Sequence, residues 1–228
     1  MSAAGYAIDL NEFSLEKLRN LLTTVRLLPS QQILREDMNV RFVCLQDHGL
    51  ENLQQLQDAL KTKMKVQSLS LETGIPVDYL TVLRREVNSY QPKPIRFGDF
   101  PGIAPEVVAR LDQAGVRNTL HLFPHVLTPR HRKQFSSANN IEPKTGLELT
   151  KLTDVARLKW VGPKFARLLV ESEYDTVERI AQSDYEALFL ALGRVNEKKK
   201  IYRGSLGIED LKLWVTVVVP LVPQVIEY

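Results

Sequence analysis

Apolar residues recur at helical spacing over most of this chain. Leucine and valine stand three or four positions apart in four stretches, at positions 15–25, 50–60, 107–111 and 188–195. Such spacing places apolar side chains on one stripe of an amphipathic helix. Strand-like patterning is thin, because the β-branched run around Val217 follows a Leu and a Trp at helical spacing. The pattern therefore predicts an all-α protein.

Polar residues that cap helices precede two of these stretches. Ser14 stands before Leu-Glu-Lys-Leu, and Ser183 or Asp184 stands before Tyr-Glu-Ala-Leu. Serine and aspartate side chains accept hydrogen bonds from the first N–H groups of a helix. We therefore expect helices to begin after these residues, and we expect Asp175 to cap a further helix.

A passage rich in proline and glycine divides the chain. Residues 89–102 read SYQPKPIRFGDFPG, which cannot be regular structure throughout. A chain of 228 residues is also longer than a single compact domain usually needs. The sequence predicts an N-terminal helical unit at residues 1–90, a linker at 91–99 and a C-terminal domain at 100–228.

Segments of the chain resemble one another at fixed offsets. The spacing between Gly49 and Gly115 equals the spacing between Gly74 and Asn140. A second and shorter offset relates FPGIAPEVVARL, which begins at Phe100, to LKWVGPKFARLL, which begins at Leu158. Similarity at a fixed offset indicates duplication of a structural unit. We therefore expect tandem copies of one helical unit, with a diverged copy in the N-terminal part.

The last two segments have the pattern of a helix-hairpin-helix turn, in which Gly-hydrophobic-Gly joins two helices. The first glycine permits the tight turn, and the hydrophobic residue is buried between the helices. The second glycine lets a ligand approach the N-terminus of the second helix, where unpaired N–H groups can hold a phosphate. Ile103 and Val161 stand at the buried position, and Ala109 and Ala166 stand where the second helix packs closely.

No copy of this turn keeps both glycines. Ala104 replaces the second glycine in one copy, Pro76 replaces it in another, and Trp160 replaces the first glycine in a third. A methyl group adds bulk at the phosphate-facing position, and a proline removes an N–H donor there. Only the third copy keeps a glycine at that position, Gly162, with a cation, Lys164, close behind it.

The ordered series of motifs resembles a family of tandem helix-hairpin-helix domains, found mostly in bacteria and known only as a domain of unknown function. The resemblance covers about residues 100–221 and rests on FPGIAPEVVARLDQAGV, DVARLKWVGPKFARLLVESEYDTVERIA and VNEKKKIYRGSLGIEDLKLWV. Residues 28–90 look like a diverged partial copy of its first part. The resemblance implies an all-α fold of tandem helix-hairpin-helix repeats, no catalytic residues, and nucleic-acid binding that is itself only inferred.

Composition narrows the function classes. Hydrophobic residues make up 44% of the chain and charged residues 25%, which is ordinary for a globular protein. The single cysteine, Cys44, excludes an internal disulfide, and the four histidines lack the spacing of metal ligands. No glycine-rich phosphate loop and no nucleophile–base pattern occurs in the sequence. We therefore expect no metal, no cofactor and no enzymatic activity.

The chain carries no obvious signal for a membrane or for secretion. No stretch approaches 18 uninterrupted apolar residues. The first residues, MSAAGYAIDL, lack the basic and apolar regions of a secretory signal. We expect a cytoplasmic protein that does not contact a membrane.

Two basic runs and one hairpin are candidates for contacting a DNA or RNA backbone. The candidates are Gly162, Lys164, Arg167, Arg130, Arg132, Lys133, Lys198, Lys199, Lys200 and Arg203. The net charge of +3 is low for a dedicated nucleic-acid binder. The simpler alternative is that these cations are solvated or compensate helix C-termini. Weak, sequence-independent nucleic-acid binding is the first functional hypothesis.

The C-terminal run WVTVVVPLVPQVI is apolar on every face and must be covered by something. The N-terminal unit or a second copy of the chain could cover it. Candidate oligomerisation residues are Trp214, Val215, Val218 and Leu221. A scaffold that binds a protein partner or forms a homo-oligomer is therefore the second hypothesis. Packing, rather than base stacking, is the expected role of both Trp160 and Trp214.

Overall fold

The computed structural model describes residues 5–25 and 27–228, and it shows a helical protein. The helices of the first half are α1 (Leu15–Thr24), α2 (Met38–Asp47), α3 (Leu53–Ala59), α4 (Lys63–Thr73) and α5 (Val77–Ser89). Those of the second half are α6 (Pro105–Gln113), α7 (Thr119–Leu122), α8 (Pro129–Ala138), α9 (Pro143–Val155), α10 (Pro163–Glu171), α11 (Val177–Ala181), α12 (Tyr185–Lys199) and α13 (Ile208–Leu213). The described residues contain no strand, so the all-α prediction is confirmed. None of the described helices is long and apolar enough to cross a membrane.

Two predicted helix starts are confirmed and one is wrong. The Ser14 side chain accepts a hydrogen bond from the third N–H group of α1, and Asp184 accepts two from the first turn of α12. The residue that caps α11 is Thr176 rather than Asp175. The Asp175 carboxylate instead forms an ion pair with Arg179, with 2.9 Å between the charged atoms.

The described residues form two compact units. One unit consists of residues 9–91 with α1–α5, and the other consists of residues 5–8 together with 92–228. The passage proposed from its prolines as a linker folds with the second unit. There Phe97 is buried, and the backbone of Arg96 forms a bridge with that of Asn118.

The core of the N-terminal unit packs the leucine stripe of α1 and the apolar face of α5 together with α2 and α3. Tyr79 of α5 is fully buried, and its hydroxyl donates to the carbonyl oxygen of Leu34 at 3.4 Å. The guanidinium of Arg41 lies 4.4 Å from the centre of the Tyr79 ring. Burial raises the pKa of Tyr79 to about 12, so its hydroxyl stays protonated at neutral pH.

The helices recur at the two offsets found in the sequence. The set α2–α5 corresponds to α6–α9 at the first offset, and the pair α6 and α7 corresponds to α10 and α11 at the second. The helices α3, α7 and α11 have their N-caps at matching positions, Asn52, Asn118 and Thr176. In each case the capping side chain accepts a hydrogen bond from the third N–H group of the helix. The chain therefore repeats one arrangement of helices and caps.

The turns between the helices recur as well. The backbone is left-handed at Gly74 and Asn140, which are related by the first offset, with φ of 72° and 52°. It is also left-handed at Gly102 and Trp160, which are related by the second offset, with φ of 84° and 71°. An isoleucine or valine follows each of these residues, and its side chain is buried or partly buried in its own unit. The order of left-handed turn residue, apolar residue and new helix thus recurs along the chain.

The two alanines expected to pack closely differ in their surroundings. Ala166 on α10 is fully buried, as predicted, whereas Ala109 on α6 is exposed, so that prediction was wrong. Five consecutive residues of α10, from Phe165 to Leu169, are buried, but α6 fully buries only Leu111. Of these two corresponding helices, α10 is therefore buried in the unit much more deeply than α6.

The apolar C-terminal segment is covered by its own unit. A π-helix at Trp214–Val218 continues α13, and the Trp214 Nε1–H donates to the carbonyl oxygen of Lys159 at 3.1 Å. The residues that the sequence suggests for oligomerisation are buried or half-buried in this packing: Trp214, Val215, Val218 and Leu221. Trp214, Val215 and Val218 belong to the core of the C-terminal unit, so these three side chains are not available to a second chain, whereas Leu221 is only half-buried.

A buried ion pair lies at the end of α9. Arg157 Nη2 is 2.5 Å from Asp154 Oδ1, and neither side chain is more than 4% exposed. Arg157 Nη1 also donates to the carbonyl oxygens of Gly5 and Pro223, at 2.9 and 3.0 Å. One guanidinium therefore holds the first described residues and the C-terminal tail against α9.

The Asp154 carboxylate extends the same network to α11. Its Oδ2 accepts from the N–H of Val177 at 3.0 Å and from the hydroxyl of Tyr228 at 3.1 Å. At the matching positions of α3 and α7, the N–H groups of Leu53 and Thr119 bond to backbone carbonyl oxygens instead. Loss of water around the Tyr228 hydroxyl, together with the Asp154 carboxylate, raises the pKa of Tyr228 above its usual range.

We expect Arg157→Ala to lower the free energy of unfolding of the C-terminal unit by about 3–5 kcal/mol, because it leaves the buried Asp154 charge without its partner. Urea denaturation followed by circular dichroism measures the change. Arg203→Ala, at an exposed arginine, is the matched control and should alter stability by less than about 0.5 kcal/mol. An Arg157 variant as stable as this control would show that the ion pair does not organise the unit.

Candidate nucleic-acid interface

The N-terminus of α10 is open and has no side-chain cap. Gly162 is the capping residue, and Pro163 occupies the first helical position. Because proline has no N–H, the first amide donors are those of Lys164 and Phe165. A Cβ added at Gly162 would meet no atom within 4 Å. The space beside the Gly162 Cα atom is therefore open to a ligand.

The charge around this helix start is positive. Lys164 is exposed, and no carboxylate in the described part of the chain forms an ion pair with it. The first turn of α10 contains no acidic residue. A helix N-terminus carries a partial positive charge, to which the ammonium group adds. Both features favour an anion at this position.

Arg167 does not contribute to this charge, although the sequence suggests that it could. Its side chain is buried, with Nη1 lying 2.5 Å from Glu148 Oε1 and 3.6 Å from Glu171 Oε1. The guanidinium also lies near Gly102, where an added Cβ would be 3.9 Å from Arg167 Nη2. Two carboxylates thus neutralise Arg167 inside the unit, and it should be removed from the candidate interface.

The basic run on α8 lies away from the start of α10 in the sequence and contacts the C-terminal tail. Arg132 donates to the carbonyl oxygen of Glu227 at 3.1 Å, and its guanidinium lies 5.6 Å from the centre of the Tyr228 ring. Arg130 and Lys133 are exposed. The structure therefore gives Arg132 a role in holding the tail and leaves its two neighbours at the surface.

The second basic run lies at the opposite end of α10 from Lys164. Lys199 forms an ion pair with Glu171, the last residue of α10, and Lys198 and Lys200 are exposed beside it. The nine residues of α10 separate the two ends by roughly 13 Å at the rise of an α-helix. Arg203 is exposed in the loop that follows. The hairpin and the lysine run therefore do not form one compact site.

An aromatic cleft lies beside the start of α10. The side chains that give it its character are Trp160, Phe165, Tyr202 and Trp214, with Ser205 and Asp210 as polar members of the lining. The Phe165 ring centre lies 5.3 Å from that of Tyr202 and 5.7 Å from that of Trp214. The cleft volume is about 130 Å³. This is well below the ~300–1,000 Å³ of small-molecule sites, so one ring fits but a whole cofactor does not.

Trp160 forms the outer wall of this cleft and is not a core residue. It is 55% exposed, so the expectation that it packs in the interior was wrong, whereas Trp214 is 4% exposed, as expected. The ammonium group of Lys159 lies 4.7 Å from the centre of the Trp160 ring. A large aromatic surface is thus presented to solvent two residues before Gly162, and the buried Lys159 lies against it.

Residues 101–217, about half of the chain, match a protein family described as a domain of unknown function (DUF4332). The chain belongs to this family. The family resemblance drawn from the sequence is confirmed at that level, and the open helix start lies inside the DUF4332 domain. The helices α2–α5 lie outside it, although they repeat its helix order. No curated protein and no solved structure matches the chain.

The DUF4332 domain offers no constellation of metal ligands in the described residues. No group of three or more His, Cys, Asp or Glu side chains there could hold a metal ion. The buried side chains of Asp154 and Arg157 bond to each other and to backbone groups. The start of α10 presents an uncapped helix N-terminus and an exposed lysine beside an aromatic cleft.

Three residues of this interface are missed by sequence reasoning, namely Lys159, Phe165 and Tyr202. Phe165 lies on the apolar stripe of α10 and is indistinguishable from a core residue by its spacing. Tyr202 reaches the cleft through the loop after α12, which no pattern predicts. The signal that could have found the cleft is Trp160 itself, because a bulky residue at a turn position occupied by glycine in other copies is unexpected.

We expect Trp160→Gly to leave the stability of the domain within about 1 kcal/mol of the wild type. Relief of a left-handed backbone at a non-glycine residue contributes about 1–2 kcal/mol. The greater freedom of glycine in the unfolded chain and the loss of the Lys159 contact oppose it by a similar amount. Thermal unfolding of the variant measures the difference.

The reciprocal control is Gly102→Ala, which places a side chain in the left-handed backbone at the matching position. This variant should lose about 1–2 kcal/mol. If Trp160→Gly were the more damaging of the two, the indole would have to be a structural element of the turn.

Proposed function

We propose that this chain is a non-catalytic helix-hairpin-helix protein that binds the sugar-phosphate backbone of nucleic acid, independently of sequence, at the start of α10. The observation that carries the proposal is the open helix N-terminus at Gly162 with the exposed cation Lys164. Backbone amides at a helix start bind phosphate oxygens well, and such contacts carry no base specificity.

The recurring turns support the helix-hairpin-helix part of the proposal. At Gly74, Gly102, Asn140 and Trp160, a left-handed residue is followed by an apolar residue and then by a new helix. This order is what a hairpin between two packed helices requires, because the left-handed residue reverses the chain and the apolar residue fills the space between the helices.

Charge distinguishes α10 from the other helices that follow these turns. The first turn of α5 contains Asp78, the first turn of α6 contains Glu106, and α9 has Glu142 at its N-cap. A carboxylate at each of these positions repels an incoming phosphate and interacts with the helix dipole itself. Phosphate binding is therefore assigned to α10 alone, and the other hairpins are given an architectural role.

The proposed binding is weak and depends on ionic strength. Only Lys164 and the amides of α10 form the centre of the interface, with Arg203, Lys198 and Lys200 as more distant exposed cations. Few phosphate contacts mean little counterion release, and hence modest affinity. The scaffold hypothesis keeps the eroded hairpins and the low net charge as grounds but loses one of its grounds, the apolar tail, because Trp214, Val215 and Val218 are buried within the unit.

We expect Lys164→Glu to weaken the binding of DNA and RNA of any sequence. The slope of the logarithm of the binding constant against the logarithm of the salt concentration should also decrease, by about the amount that one phosphate contact contributes. Fluorescence anisotropy with labelled oligonucleotides between about 50 and 200 mM salt measures both quantities.

The matched control is Lys63→Glu, which makes the same change of charge in the first turn of α4. Both substitutions place an acid where a helix start tolerates it, so neither should destabilise the fold. The proposal is wrong if no nucleic acid binds at about 50 mM salt, or if the two variants weaken binding equally.

A further inference from the structure

Trp160 holds a backbone conformation that is unfavourable for a residue with a side chain. Its φ of 71° lies in the left-handed region, and the matching residue of the preceding copy is Gly102 with φ of 84°. A residue with a side chain is strained in this conformation, whereas glycine adopts it freely. Such a conformation kept at a solvent-exposed aromatic residue motivates the hypothesis that the side chain serves a ligand.

The Trp160 ring is placed for stacking. It is 55% exposed, although the Lys159 ammonium group lies over the ring, 4.7 Å from its centre. The indole of Trp214 at the back of the cleft is fixed by its hydrogen bond to the Lys159 carbonyl oxygen. Trp214 therefore forms a fixed inner wall of the cleft. Trp160, on the outer side, is the ring that can accept a stacked ligand.

The polarity of the cleft favours an uncharged ring over a phosphate. The lining is mainly aromatic and aliphatic, and among the described residues neither a lysine nor an arginine that could hold a phosphate belongs to it. The Ser205 hydroxyl in the lining can accept a hydrogen bond from an exocyclic amino group of a base. An anion and an uncharged ring of a ligand would thus bind at separate positions. The anion would lie at the amides of α10, and the ring would lie against Trp160.

We propose that this interface takes single-stranded nucleic acid, with one unpaired base stacked on Trp160 in the aromatic cleft while the adjoining phosphate lies at the start of α10. This inference rests on the proposed function and narrows its substrate. A base in a duplex is already stacked and paired, so it cannot enter the cleft without being extruded. Aromatic stacking tolerates every base, which agrees with binding that is independent of sequence.

The test compares single-stranded and duplex oligonucleotides of about 12 nucleotides by fluorescence anisotropy at about 50 mM salt. Trp160→Gly should weaken single-strand binding by about 5- to 100-fold, the range expected for one base–aromatic stack, and should leave duplex binding unchanged. Trp160→Phe, which keeps a smaller ring, should recover part of the loss.

A second measurement does not depend on a variant that changes the turn. Single strands should quench the emission of the exposed Trp160 in the wild-type protein, and this quenching should be much weaker in Trp160→Phe, because Trp214 is buried at the back of the cleft. Duplex of the same length should quench much less.

The outcomes separate the inference from the proposed function. If Trp160→Gly binds single strands as tightly as the wild type while Lys164→Glu binds them weakly, the stacking inference is overturned and the backbone site stands. An equal loss of single-strand and duplex binding in Trp160→Gly also overturns it. If the wild-type protein binds neither form, the proposed function fails, and the inference fails with it.

Discussion

The C-terminal unit depends on one buried charge pair. Arg157 is among the largest fully buried side chains of the chain, and its guanidinium contacts Asp154, Gly5 and Pro223 at once. Removing such a charge from water is costly, and only a complete set of acceptors offsets the cost. Asp154 in turn caps the first N–H of α11, so the same pair positions the third copy of the helical repeat.

The three copies share an architecture and differ in chemistry. In the first two copies, the first N–H of the helix after the short turn (α3 or α7) donates to a backbone carbonyl oxygen. In the third copy, the first N–H of α11 donates to the Asp154 carboxylate. The third copy also buries most of α10 and exposes an aromatic residue at the turn before it. These changes converge on one end of one helix, where an uncapped N-terminus, a lysine and an aromatic cleft meet.

Periodicity was sufficient to predict the helices, the caps at Ser14 and Asp184, and the two offsets, because each depends on local spacing. Periodicity could not predict which side chains elsewhere in the fold contact a given residue. Arg167 follows Lys164 by one turn, yet the carboxylates that neutralise it come from α9 and from the end of its own helix. Trp160, at a turn, and Ala109, on α6, were misassigned because burial depends on packing between helices. The uniformly apolar segment at Trp214 was correctly expected to be covered, but its cover came from within the unit.

The central claim is that nucleic acid binds at the start of α10. Titration of isotope-labelled protein with a short single-stranded oligonucleotide, followed by amide chemical shifts, locates the contact directly. The account predicts the largest shifts at the amides of Lys164 and Phe165 and at the indole N–H of Trp160. Shifts centred instead on the α8 run, Arg130 to Lys133, or on the lysines at the end of α12 would contradict it.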